Sequence, residues 1–105
     1  MSDVVMVLST VPDDPSAETI ARTLVEERLV ACANVLPPMV SIYRWKGAVE
    51  RGTERQLLMK TTQSLVPALE KRLKELHSYE LPEFVVLAVD SGSEAYLAWV
   101  ASSLQ

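Results

Sequence analysis

Residues 29–62, LVACANVLPPMVSIYRWKGAVERGTERQLLMKTT, decide how this chain folds. Val40, Ile42, Tyr43, Trp45 and Val49 are β-branched or aromatic and suit a pleated, half-buried surface. Pro37-Pro38 cannot donate ladder hydrogen bonds, so the strand is expected to break there or to lie at an edge. Strand character runs from Val40 to Glu50, Arg51-Gly52 is the expected turn, and Gln56 to Thr61 returns. Gly47, in mid-strand, reads as a bulge. The stretch is therefore a long β-hairpin with an irregular start.

Its flanks supply a strand and a helix on each side. VVMVLSTV (4–11) is a nearly continuous apolar run, the mark of a strand buried on both faces. Asp14 is placed to cap a helix and Pro15 to occupy its first position, where a missing N–H is harmless. Ala17, Ile20, Ala21, Leu24, Val25 and Leu29 fall on one stripe, which predicts a helix over 15–29. Beyond the hairpin, Ser64 reads as the cap of a second helix with Leu65, Leu69, Leu73 and Leu76 at helical spacing. Glu70–Lys74 and Lys71–Glu75 are i,i+4 pairs on its wet face, and Pro82 implies that it ends near His77. EFVVLAVD (83–90) predicts another doubly buried strand. Ser91 or Ser93 then caps a short helix carrying Tyr96, Leu97, Trp99, Val100 and Leu104.

The order β-α-β-β-α-β with a C-terminal helix is an α+β, ferredoxin-like arrangement, expected as one domain over residues 1–105. It puts both main helices on one face of an antiparallel sheet and leaves the other face needing cover. In IYRW, Tyr43 and Trp45 lie on one side and Ile42 on the other, so neither face of the hairpin is plainly polar. A sheet apolar on both sides in so small a domain predicts a homo-oligomer.

Composition narrows the function. A formal charge of −4 over 105 residues argues against a general nucleic-acid binder, which needs a concentrated basic surface. The short basic cluster Arg44-Trp45-Lys46 alternates on a strand. One cysteine, Cys32, cannot form an intrachain disulfide, which suits a reducing compartment. MSDVVMVLST lacks a basic leader, and no apolar run approaches the ~20 residues needed to span a bilayer. The expectation is a cytoplasmic protein with no nucleic-acid or membrane partner.

His77 is the single histidine. As a metal ligand it lacks company, because a closed zinc site takes about four ligands and the chain supplies one His and one Cys. Glu80 and Glu83 are hard oxygen donors that suit a soft ion poorly. The alternative is that the imidazole caps the C-terminal end of the second helix, worth on the order of 0.5–1 kcal/mol. Cys32, in LVACANVL, reads as an inert core thiol. Lys60, Tyr79 and Glu80 suggest a small polar site for an anion or a proton transfer, against the plainer reading of a surface ion pair. Tyr43, Trp45, Tyr96 and Trp99 read as interface and core anchors. Ser78 beside His77 has no partner acid, and three scattered glycines make no phosphate loop. No catalytic activity is expected.

LVEERLVACANVLPPMVSIYRWKGAVE, LLMKTT and HSYELPEFVVLAVDSGSEAYLAWV together resemble the CutA family of divalent-cation tolerance proteins, in order and spacing over nearly the whole chain. The resemblance implies a ferredoxin-like subunit in a tight homotrimer like that of the PII signalling proteins, and a link to tolerance of copper and other divalent cations. The family's marked positions fall here on Cys32, Tyr43, Arg44, Trp45, Gly47, Lys60, Thr61, His77, Tyr79, Glu80, Pro82, Glu83, Tyr96 and Trp99. Ser78 replaces the proline of the usual His-Pro-Tyr-Glu motif. Ser9 and Leu76 stand where some members have a cysteine and a second histidine, which argues against strong copper binding. The implied function is cation-responsive binding with no obligatory cofactor, a divalent cation such as Cu2+ being weakly held. A PII-like cleft for a small anionic ligand and a trimeric scaffold for a protein partner are the alternatives.

Overall fold

Alternation along two strands sets the frame: β1 (Val4–Pro12) pairs antiparallel with the second half of β4 (Ala48–Thr62), from Val4 opposite Thr62 to Pro12 opposite Glu54. The computed structural model describes residues 2–105, so residue 1 of the expected 1–105 domain lies outside them. β2 (Cys32–Val35) and β3 (Met39–Trp45) pair with β4 in succession, as one strand interrupted around Pro37-Pro38. β5 (Val85–Ala88) pairs antiparallel with the other edge of β1. The order β2-β4-β1-β5, with β3 also on β4, is the ferredoxin-like sheet that the sequence predicted.

α1 (Ser16–Glu26) and α2 (Val66–Leu76) cover one face. Their apolar stripes, Ala17, Ile20, Ala21 and Leu24 with Leu69 and Leu73, pack on Val5, Val7, Val11, Leu57 and Met59 in one core. Lys60 alternates with buried Met59 and Thr61 and so faces away from those helices. The Lys60 ammonium lies 5.8 Å from the Tyr96 ring, which places α3 (Glu94–Ser102) on the second face. Ser93 caps α3, its Oγ accepting from the Tyr96 N–H at 3.3 Å. Among the described residues no helix is long and apolar enough to cross a membrane.

Five expectations are corrected by the backbone. The hairpin turns at Lys46-Gly47, where both residues have positive φ (50° and 84°), so Gly47 is a turn residue and no bulge. Such two-residue turns match the right-handed twist of the strands, and Arg51-Gly52 lies inside β4 opposite Ile42 and Ser41. Helix α1 stops at Glu26 rather than 29, because Arg28 takes a left-handed conformation (φ 60°). The Leu29 N–H then reaches back to the Leu24 carbonyl and the Arg28 N–H to that of Val25, closing the helix end. Ser64 does not cap α2: a tight turn over Gln63–Leu65 precedes the helix, and the Ser64 hydroxyl faces that of Thr62. Finally, β5 is four residues long with Val85 and Leu87 exposed, because it borders β1 alone and α3 covers only part of the second face.

β3 and the first half of β4 extend as an arm, giving principal extents of 44 × 25 × 24 Å. Along the arm, Val40, Ile42 and Arg44 share one face with Val49, and Ile42 is 71% exposed. Ser41, Tyr43 and Trp45 share the other, and that face looks onto the loop that follows α2.

Candidate functional site

The loop after α2 is held by His77. The residue is 8% exposed, and its Nδ1 accepts the Tyr79 backbone N–H at 3.1 Å. Nε2 must then carry the proton, and it donates to the Thr10 carbonyl of β1 at 2.7 Å. His77 is the C-cap residue of α2 through its backbone, whose N–H bonds to the Leu73 carbonyl. Its ring turns to β1 and not to the helix carbonyls, so the expected dipole cap becomes a tether between loop and sheet. The ring also packs on Tyr79, centroids 4.6 Å apart.

Tyr79 carries the tether on to β4. Its hydroxyl donates to the Glu54 carboxylate at 2.7 Å. Burial first, and then the hydrogen bond and charge of Glu54, push the phenol above its ordinary range. Glu83 is anchored alongside: Gln56 Nε2 donates to its carboxylate at 2.9 Å and to the Ser9 carbonyl at 2.8 Å.

Between this loop and the arm lies a cleft of about 710 Å³. Tyr43, Trp45, Tyr79, Glu80 and Glu83, all singled out from the sequence, line it, together with Thr10, Ser41, Glu54, Ser78, Leu81 and Pro82. Glu54 was missed. It is 9% exposed, and its burial depends on the register that sets it opposite Pro12 and Met39, which no local pattern reveals. Lys46 reaches over the rim to Glu80 at 3.6 Å, an exposed pair worth little in stability.

Lys60 is elsewhere. Six residues along β4 separate it from Glu54, about 20 Å at strand spacing. It joins Cys32 (Nζ to Sγ 3.7 Å), Asn34 (3.3 Å to Oδ1) and Tyr96, whose hydroxyl is 3.9 Å from the same sulfur. The expected Lys60–Tyr79–Glu80 site is therefore split between two ends of the sheet. Cys32 is half-buried on the second face, not in the core, because it pairs with Lys60 and shares that residue's direction. Trp99 packs on Tyr96 at 5.5 Å, both rings partly exposed. Arg44 points to its own turn, with Nη1 3.5 Å from the Gly47 carbonyl.

For chemistry, the cleft offers carboxylates, hydroxyls and aromatic rings. Both ring nitrogens of His77 are engaged, so neither is left to activate Ser78. Among the described residues no three His, Cys, Asp or Glu side chains converge as a metal cage, and the two softest donors stand apart. One chain by itself does not fit a closed metal site.

Residues 5–103 match the family model described as CutA1 divalent ion tolerance protein. The chain belongs to this family. It is 50% identical over 95 residues to the divalent-cation tolerance protein CutA of Thermus thermophilus, covering 90% of this chain and 92% of that one. It is 45% identical to protein CutA of Mus musculus over 87% of this chain, and spans about half (51%) of that longer relative. The crystal structure of CutA from Xylella fastidiosa superposes with a TM-score of 0.95 at 48% identity, over 99% of this chain and 100% of that one. The ferredoxin-like sheet, the arm and the loop that frames the cleft thus belong to a shared fold.

Proposed function

We propose that this chain forms a cytoplasmic homotrimer that responds to divalent cations and contributes to metal tolerance, copper included, without catalysing a reaction. The observation that carries this reading is the 50% identity to a Thermus thermophilus protein named for divalent-cation tolerance. Assembly is supported by apolar surface that one chain leaves open: Val40, Ile42 and Val49 on the arm, Val85 and Leu87 on β5. Both sheet edges are also unpaired, and a closed ring of three copies pairs or hides them. Cation contact is weak in this reading, because His77 is already bonded at both nitrogens and the remaining donors are hard carboxylates. An anionic ligand is disfavoured by the acidic lining of the cleft and the distance of Lys60 from it.

The scaffold reading retains support from the same exposed arm. Light scattering joined to a copper titration separates the possibilities. The expected result is a mass of three chains at micromolar protein with copper binding in the millimolar range. A folded monomer sinks the assembly, and no copper binding at all leaves the scaffold reading in its place.

A further inference from the structure

The cleft under the arm combines three features that no metal reading uses. Glu54 is a buried carboxylate whose hydrogen-bond donor is the neutral Tyr79 hydroxyl, and among the described residues no Lys, Arg or His lies within ion-pair distance of it. One carboxylate oxygen takes the Tyr79 hydroxyl, and the other is reached by solvent in the cleft, so it retains acceptor capacity that the protein does not fill. Tyr79 lies against Glu54, the Tyr43 ring reaches Gly52 two residues along β4, and Trp45, opposite Ala48, closes the far end of the cleft toward the arm's tip. Aromatic faces attract cations, and the chain's own Lys46 ammonium already sits 5.5 Å from the Trp45 ring centroid. Leu81 and Pro82 add apolar wall, and the volume of about 710 Å³ is that of a small-molecule pocket.

A hydrated metal ion needs several converging oxygens and has no use for aromatic and aliphatic walls. A carbon-bearing cation uses both. We propose that this cleft binds an organic cation, a guanidinium or alkylammonium group, with its charge at Glu54 and its carbon skeleton running along Tyr43 and Leu81 toward Trp45. This assignment does not rest on the metal-tolerance reading. The group has two sources, a free small molecule or an Arg or Lys side chain of a polypeptide, and the chemistry of recognition is the same.

Trp45 and Trp99 are the only tryptophans, so Trp99→Phe leaves Trp45 as a reporter in the full chain. Its fluorescence is followed on titration with butylguanidinium, with neutral butylurea, and with a short arginine-containing peptide. The expected result is a saturable change with butylguanidinium at submillimolar to millimolar concentration and none with butylurea. Glu54→Gln, which still accepts from Tyr79, weakens it at least tenfold, and Glu83→Gln weakens it less. A peptide affinity more than tenfold above that of butylguanidinium identifies a polypeptide source, and equal affinities a small molecule. Absence of saturation below ~10 mM, as when a second copy fills the cleft, overturns the proposal. So does an equal response to butylurea, or an unchanged response in Glu54→Gln whose circular dichroism shows a folded chain.

Discussion

Replacing His77 by alanine tests whether the ring is a tether. The substitution removes the bond to the Thr10 carbonyl and the acceptor of the Tyr79 N–H. Each bond contributes about 1 kcal/mol net, and a part-buried N–H left unpaired adds a penalty within about 1–3 kcal/mol. Loss of the contact with the Tyr79 ring at 4.6 Å adds up to roughly 1 kcal/mol. The total is about 3–6 kcal/mol, several times what a dipole cap at the end of α2 would contribute. Urea denaturation at fixed protein concentration reads it directly. With a slope near 2 kcal/mol per molar, the midpoint falls by about 1.5–3 M. His77→Gln keeps one donor and one acceptor and recovers part of the loss. A deficit below about 1 kcal/mol in His77→Ala refutes the tether. The same geometry predicts that equimolar Cu2+ or Zn2+ does not raise the midpoint, since a metal must displace an existing hydrogen bond. Submicromolar copper binding that disappears in His77→Ala overturns that prediction.

The remaining expectations concern the helix end, the turn, the phenol and the thiol. Arg28→Gly relieves a left-handed non-glycine residue at the end of α1 and is expected to stabilise by about 0.5–1 kcal/mol, read as a raised urea midpoint. Lys46→Asn creates Asn-Gly at the arm's turn and gains a few tenths of a kcal/mol, whereas Gly47→Val costs about 1–2 kcal/mol at a φ of 84°. The folded chain holds the Tyr79 proton more tightly than the unfolded chain, so this contribution is intact below about pH 10 and declines as pH rises beyond it. Tyr79→Phe removes that alkaline loss, and an unchanged pH profile in the variant contradicts it. Cys32, half-buried beside Lys60, reacts with an anionic disulfide reagent in the native chain faster than a core thiol would, and Lys60→Met slows the reaction.

Local sequence determined the inventory of elements. The period-3.6 stripe Ala17-Ile20-Ala21-Leu24, the apolar run of β1 and the ladder-breaking Pro37-Pro38 each act over a few residues, so their outcome is legible without the fold. So is Ser93, whose capping bond spans three residues. Tyr43, Trp45, Tyr79, Glu80 and Glu83 were singled out by residue type and by the family resemblance, but their meeting in one cleft could not be read locally. That meeting, the location of the turn, the burial of Glu54 and the separation of Lys60 from Glu80 belong to the register of β4 against β1 and β3. A slip of one residue in that register sends every side chain of the strand to the opposite face. The partners of His77 and Tyr79 lie 67 and 25 residues away in the chain, and only the closed sheet brings them within hydrogen-bond reach.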